Sequence, residues 1–393
     1  MSRWAILAAL SLIRFSFGYQ FQSMAALAPA VARDLAIDQA AAGGLIGLYW
    51  APGVLVALPG GWLGRRFGDK PMVLAGGVLT VLGGLLCGFG ESYGALAAGR
   101  LVAGLGGIVM NIMAVKMAID WFAGREIGFA FGCLFGSFPL GIALGLAIQA
   151  PLAGAIGWPA VMLSTAGLAA AVVAAIALVY RPPQAVAHAA PAQGAGALSG
   201  AEIALLSIAG AGLALYNGSF LVYVSYAPVL LVTSGFGIAE AGLVLAAASA
   251  LSTVFLPLGG HLADRSRRPR AVLFAGTAGF AACVAFLPAV AASQSLAAVT
   301  ALAIAISALG AMPVSAMVSL PSEALRPDRR AIGLGLFYTW FYIGAALSPP
   351  LGGWLYDLAG TPAAPVYLNA LFGLATIALY LLFAALARRP GAQ

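Results

Sequence analysis

Three basic residues stand inside long apolar stretches of the sequence, where a charge is costly. Arg14 lies about ten residues into the first stretch, Arg100 in the outer third of the fourth, and Lys116 near that stretch's inner end. No Asp or Glu lies in the middle of any such stretch. Ionisable residues within apolar spans usually mark substrate or ion pathways. Unneutralised positive charge therefore predicts an anion site, and we predict that no Asp or Glu carries protons through the core.

Each of these cations has a structural alternative. Arg100 could bond backbone carbonyls, and Lys116 could extend its amine to the membrane surface. At a rise of 1.5 Å per residue, Arg14 lies roughly midway along its stretch, which is too deep for its side chain to reach the membrane surface. We therefore predict that Arg14 is the main anion contact, because a planar guanidinium suits a carboxylate better than an ammonium does.

Polar and aromatic residues at helical spacing extend the predicted site. Arg14, Gly18 and Gln22 repeat every four residues and so share one helix face. The aromatic residues near position 340 lie too deep to be interfacial anchors, although core packing is the alternative for any one of them. The predicted substrate-binding residues are Arg14, Tyr19, Gln22, Arg100, Asn111, Lys116, Tyr216, Asn217, Tyr338, Trp340 and Tyr342.

Other chemistry finds no support in the sequence. The three cysteines are far apart within apolar runs, and neither His188 nor His261 has a partner for metal binding or catalysis. Gly104, Gly106 and Gly107 follow no strand, so they are not a dinucleotide fingerprint. We predict no enzyme activity, no metal and no cofactor.

The composition shows which elements must position these residues. Hydrophobic residues make up 62% of the 393 residues and charged residues only 8%, whereas a soluble domain has roughly a quarter of its residues charged. The predicted fold class is an all-α polytopic membrane protein. Apolar segments of about 20 residues suit membrane-spanning helices. We predict twelve, near residues 4–33, 41–63, 71–90, 95–118, 127–149, 157–180, 201–232, 239–262, 271–292, 296–320, 331–355 and 364–387.

Residues 181–200 separate the segments into two sets of six. This stretch is rich in Ala, Pro and Gly, as flexible linkers are. The predicted domains are an N-terminal six-helix bundle over residues 1–180, a cytoplasmic linker over 181–200 and a C-terminal six-helix bundle over 201–393.

Basic residues predict the orientation in the membrane. With the N-terminus in the cytoplasm, most of the 19 Lys and Arg residues fall on the inner side. We predict an inner (plasma) membrane protein with both termini cytoplasmic. The net charge of +7 then needs no nucleic-acid partner. The expected partners are the lipid bilayer and a small-molecule substrate, and we expect a monomer.

The two sets of segments repeat each other. An offset of 199 residues places Pro29 on Pro228 and Arg66 on Arg265, and brings the glycine pair at 60 and 61 onto the pair at 259 and 260. Such matching over two segments indicates an internal duplication of six helices. Parallel six-helix repeats around a midplane cavity are typical of transporters.

Loop motifs identify a family resemblance. Residues 260–268, GHLADRSRR, resemble the loop signature of the major facilitator superfamily, and residues 61–70, GWLGRRFGDK, are its counterpart in the first half. Arg100, Gly104 and Gly106 are similar to the family's R-x-x-x-G-x-G, and the stretch from Gly136 to Gly141 loosely resembles its Gly-Pro-rich motif. The resemblance implies secondary transport by alternating access. It also implies that the motif carboxylate faces a helix N-terminus in the opposite half and closes the cytoplasmic side.

The first motif departs from the family pattern. Arg65 stands at the expected Asp position and Asp69 at the expected Arg position, whereas Asp264 keeps the carboxylate that a helix N-terminus favours. We predict that Arg65 pairs across the halves with Glu323 or Asp328; the alternative is that it extends to lipid headgroups. The predicted gating residues are Arg65, Asp69, Asp264, Arg265 and Glu323.

The predicted function is a secondary transporter for a small anionic solute. The stretches at 116–126 and 320–323 resemble the cyanate and nitroimidazole porter group. The alternative is an efflux antiporter for apolar drug-like compounds, which the aromatic residues favour and the missing buried carboxylate disfavours. A membrane-embedded enzyme lacks a nucleophile–base or metal constellation, and a ligand sensor lacks a soluble signalling domain.

Overall fold

A computed structural model describes residues 3–57, 66–122, 126–181, 198–265, 269–321, 325 and 329–387. These residues form twelve helices long and apolar enough to cross a membrane. They are α1 (Arg3–Asp34), α2 (Gln39–Val56), α3 (Asp69–Phe89), α4 (Tyr93–Phe122), α5 (Ile127–Ile156), α6 (Trp158–Val179), α7 (Gly200–Thr233), α8 (Ile238–Arg265), α9 (Pro269–Ala292), α10 (Leu296–Ser319), α11 (Arg330–Ala359) and α12 (Ala363–Leu386). Every predicted segment overlaps one of them, so the predicted fold class is confirmed.

Two of the spans are broken by prolines. α2 consists of Gln39–Leu48 and Pro52–Val56, and α10 of Leu296–Ala311 and Val314–Ser319, with Pro313 directly before its second part. Proline has no backbone N–H, so it is well tolerated in the first turn of a helix, and each second part begins at a proline or directly after one.

The helices form two six-helix bundles, α1–α6 and α7–α12. In the first bundle α1 packs on α5 and α6, and α3 on α4 and α6. In the second, α7 packs on α11 and α12. Two seams join the bundles, one between α2 and α11 and the other between α5 and α8.

Both seams depend on glycine, because the helix backbones approach closely there. A Cβ atom on Gly47 of α2 would lie 2.0 Å from the Ala346 carbonyl oxygen of α11. A Cβ atom on Gly242 of α8 would lie 2.4 Å from the Leu146 oxygen of α5. Any larger residue at either position must push the two bundles apart.

We call the membrane side near Arg3 and Phe122 the terminal face, and the side near Asp34 and Thr233 the far face. At the far face the bundles are tied by polar contacts as well as packing. The Asp357 carboxylate of α11 accepts hydrogen bonds from Gln39 N at 3.1 Å and Ala40 N at 2.8 Å, which begin α2. A carboxylate is favoured at this positive end of a helix.

Candidate functional site

A cavity of about 660 Å³ lies between the two bundles. Helices from both halves line it, and it extends from Trp50 and Tyr342 to Gly260 and Val318, near the terminal-face ends of α8 and α10. Its volume falls in the range of small-molecule sites, which are mostly apolar with a few polar groups.

Arg14 is the one charged residue that lines this cavity among the residues the structure describes. Its guanidinium carbon lies 4.4 Å from the centroid of the Phe135 ring, a cation–π contact. Its buried Nε has no hydrogen-bond partner. Tyr338 and Tyr342 of α11 line the same cavity. Within the described chain its positive charge therefore stands unneutralised at the cavity wall.

Aromatic rings form a large part of the cavity wall. The Trp50 ring of α2 contacts Phe138 of α5 edge-on, at 6.1 Å between centroids, and Phe341 of α11 at 5.9 Å. The lining Phe and Trp residues are Phe17, Trp50, Phe131, Phe135, Phe138, Phe220, Phe280 and Phe341. One cation in an aromatic surround suits a ligand with a single negative charge and an apolar body.

The structure brings six of the eleven predicted binding residues to the cavity lining. They are Arg14, Asn111, Tyr216, Asn217, Tyr338 and Tyr342.

Arg100 lies outside the lining, which corrects its predicted role as a substrate contact. Its guanidinium is 1% exposed and donates to three backbone carbonyls, those of Leu45 and Gln20 at 3.0 Å each and Phe21 at 3.3 Å. It also lies 4.3 Å above the Tyr49 ring. Arg100 therefore ties α4 to α1 and α2, and its hydrogen-bonding capacity is used by the protein.

Lys116 also lies outside the lining, because an ion pair holds it within the first bundle. Its Nζ lies 2.7 and 2.8 Å from the two carboxylate oxygens of Asp69. Lys116 is therefore not a free cation, and Asp69 of the predicted gate forms an ion pair within the first bundle.

Tyr19, Gln22 and Trp340 are likewise absent from the lining. Tyr19 lies 3.4 Å from Ser164 Oγ, and Gln22 Nε2 donates to the Val224 carbonyl at 3.4 Å. Trp340 packs against Gly210. Residues four apart drift around a helix of 3.6 residues per turn, so the face that begins at Arg14 has left the cavity by Gln22.

The predicted gate falls mostly outside the described residues. Arg65, Glu323 and Asp328 lie there, and the side chain of Asp264 does so too. Arg265 is exposed at the terminal face. The pairing of Arg65 across the halves stays a prediction.

Sequence reasoning missed most of the aromatic wall. Trp50, Phe135, Phe138 and Phe341 are apolar residues in apolar helices, so nothing in their type separates a cavity-facing ring from a lipid-facing one. Helix five offered a partial signal, since the Gly-Pro-rich stretch at 136–141 adjoins two of these rings.

A model of the Major Facilitator Superfamily matches residues 10–236 and 208–393, which together cover both bundles. The 4-hydroxybenzoate transporter PcaK of Pseudomonas aeruginosa is 29% identical over 182 residues, 46% of this chain and 40% of that protein. The chain thus matches less than half the length of the curated relatives.

Solved structures resemble the whole chain. One is a bacterial homolog of the human lysosomal transporter Spinster in an inward-facing and occupied conformation, with a TM-score of 0.71 and 18% identity. The similarity covers 98% of this chain and 96% of that one. Another is a D-xylose–proton symporter with a TM-score of 0.75 and 14% identity, covering 98% and 97% of the two chains. At these identities the likeness concerns the fold.

Proposed function

The chain belongs to the Major Facilitator Superfamily, and from that membership we propose that it moves a small organic anion by alternating access. The family and the relatives above are transporters rather than enzymes, and a chain with twelve spans is a multi-pass membrane protein. The central cavity, shared by both bundles, is then the transport site.

The single observation that carries this proposal is the unneutralised Arg14 at the cavity wall. A charged residue at the centre of a membrane span costs about 2.5–3.5 kcal/mol even on the lenient insertion scale. A carboxylate would supply the opposite charge and accept hydrogen bonds from the guanidinium. Arg14 is therefore the proposed anion contact, with Tyr338 and Tyr342 completing its shell from the second bundle.

The wall narrows the class of anion. One cation favours one negative charge, and the aromatic rings favour an apolar, planar body. The substrate in the name of the Pseudomonas aeruginosa relative is an acid of this kind, which supports the proposal. The resemblance to cyanate porters instead favours a very small anion, which would leave most of the aromatic wall without contacts.

Transport requires the far-face contacts to break and re-form. We propose that the terminal face lies in the cytoplasm of a cell with an inner membrane. The described cavity then opens toward the cytoplasm. The carrier is proposed to be a monomer. Opening outward would separate Asp357 from the start of α2 and Gln22 from Val224. Since no carboxylate lines the described cavity, protons would travel with the substrate or on groups at the rim.

The test is benzoate exchange in vesicles containing the purified protein, at pH 8, where the acid is ionised. Wild type should exchange labelled benzoate, and Arg14→Gln should weaken its apparent affinity at least about tenfold. Arg33→Gln is the matched control, because Arg33 is exposed near the far face. Unchanged affinity in Arg14→Gln would make Arg14 structural and remove the basis of the proposal.

The second candidate is efflux of apolar drug-like compounds, which the aromatic wall favours. Neutral benzamide and a lipophilic cation distinguish it in the same vesicles. Exchange of either one, unaffected by Arg14→Gln and without benzoate exchange, would establish this candidate instead.

A further inference from the structure

Three lining residues besides Arg14 have buried polar atoms without a hydrogen-bond partner among the described residues: Asn111 Oδ1, Asn217 Nδ2 and Tyr223 OH. Asn217 is the one of the three that offers a ligand an amide free of any other hydrogen bond, because Asn111 Nδ2 donates to the Gly107 carbonyl at 2.9 Å. Asn217 of α7 lines the cavity and makes no hydrogen bond with any described residue, and its Nδ2 is buried. The neighbouring Tyr216 differs, since its hydroxyl donates to the Gly310 carbonyl. An amide buried within a membrane span without a partner is unfavourable unless something else binds it.

The internal repeat places this amide relative to Arg14. The 199-residue offset aligns Arg14 with Leu213 and Gly18 with Asn217. The two halves thus carry their polar residues at different levels, Arg14 in the first half and Asn217 about one turn further along in the second. One turn is about 5.4 Å, so the offset predicts different depths for these two cavity-lining residues.

We propose that Asn217 binds a hydroxyl group of the substrate, so that the preferred substrates are hydroxylated aromatic monocarboxylates. This inference rests on the proposed function, since Arg14 takes the carboxylate. An amide offers both a donor and an acceptor, and a hydroxyl can match either one. The rings that line the cavity, among them Phe17 and Phe220, would contact the aromatic body.

This arrangement also links binding to the conformational change. Arg14 belongs to the first bundle and Asn217 to the second, so a substrate with both groups contacts both bundles. A ligand shifts a conformational equilibrium only by its differential affinity for the two states. A hydroxylated acid would therefore draw the bundles together more strongly than the unsubstituted acid does.

The experiment compares four acids on the purified full-length protein by calorimetric titration: benzoate, 4-methylbenzoate, 3-hydroxybenzoate and 4-hydroxybenzoate. The methyl group has the size of the hydroxyl without its hydrogen bonds. Wild type should bind one of the two hydroxybenzoates at least about tenfold more tightly than 4-methylbenzoate, because sites built to bind a hydroxyl discriminate strongly against its loss.

Asn217→Leu keeps the branched arrangement of side-chain heavy atoms and removes both the donor and the acceptor of the amide. It should reduce the hydroxyl preference to less than about twofold and leave the affinity for benzoate within about threefold. Leu215→Met is the control, because Leu215 lies on the same helix and is not among the residues that line the cavity. If Asn217→Leu fails to fold, Asn217→Ala serves with the same expectation.

Three results would overturn the inference: no hydroxyl preference in wild type, a preference that survives in Asn217→Leu, or an equal loss for all four acids. In each case the proposed function still stands if Arg14→Gln lowers the affinity for every acid. If Arg14→Gln weakens none of them, the proposed function fails, and this inference fails with it.

Discussion

Arg14 and Arg100 are both arginines within the membrane spans of the first bundle, yet their surroundings are opposite. Arg100 donates to three carbonyls at 3.0–3.3 Å and lies 4.3 Å above Tyr49. Arg14 has an aromatic ring at 4.4 Å and a buried Nε without a partner. One guanidinium fastens helices together, and the other faces a cavity.

The comparison teaches that depth in the membrane does not by itself identify a functional charge. Both residues carry the desolvation penalty of a buried ion. Arg100 recovers that penalty within the protein, through backbone carbonyls and a ring. Arg14 has a ring contact but no hydrogen-bond acceptor for its buried Nε among the described residues, and this difference points to a ligand.

The largest effect should come from Arg100→Met. The substitution removes three charge-assisted hydrogen bonds and leaves the Leu45, Gln20 and Phe21 carbonyls without that donor. Because hydrogen bonds to charged groups contribute about 1.5–3 kcal/mol each, we expect a loss of at least about 3 kcal/mol of stability. The melting temperature of the purified protein measures it, with Arg33→Met as the control. A variant as stable as wild type that had lost anion binding would reverse the comparison.

Arg14→Gln should lower the affinity for benzoate without lowering the stability of the protein. Its stability should equal or exceed that of wild type, because the substitution removes an unneutralised buried charge and no hydrogen bond with the described chain. The affinity for benzoate should fall at least about tenfold. The affinity of Arg14→Lys should lie between those of wild type and Arg14→Gln, because Lys keeps the charge but lacks the planar guanidinium. Melting curves and titration on the same samples separate the two effects. A large drop in melting temperature would assign Arg14 a structural role like that of Arg100.

Phe135→Leu tests the ring beneath Arg14. A cation–π contact contributes about 0.5–1 kcal/mol at such sites, so benzoate affinity should fall roughly two- to fivefold. Titration of the variant measures this change. Phe131→Leu, on the same cavity wall, is the control, and equal losses in both variants would mean that ring packing rather than the cation sets the affinity.

The smallest effect should come from Lys116→Met. The Lys116–Asp69 pair is partly exposed, with side-chain exposures of 37% and 14%, and such pairs contribute about 0–1 kcal/mol. Benzoate affinity should not change, since Lys116 is outside the cavity lining. An affinity loss as large as that of Arg14→Gln would show that the pair opens and that Lys116 reaches the substrate.

Sequence reasoning located the spans and the deepest cation. Twelve apolar segments of membrane length leave a chain little choice of fold, since backbone groups in lipid must bond within helices. It ranked Arg14 above Arg100 by depth, but it kept both in the predicted site, because nothing in the sequence shows which carbonyls lie near a guanidinium. It also extended the site along a fixed face of α1 to Gln22, which instead contacts Val224.

The sequence by itself determined that this is a twelve-helix membrane protein with duplicated halves and a positive charge deep in its first helix. Composition, segment length and the repeat carry that information locally. Only the tertiary structure decided which charges are satisfied. The partners of Arg100 are backbone carbonyls 55 to 80 residues away, and every residue has such a carbonyl. Whether a given carbonyl can accept a hydrogen bond from Arg100 depends on how the helices pack, and the residue types alone do not show this.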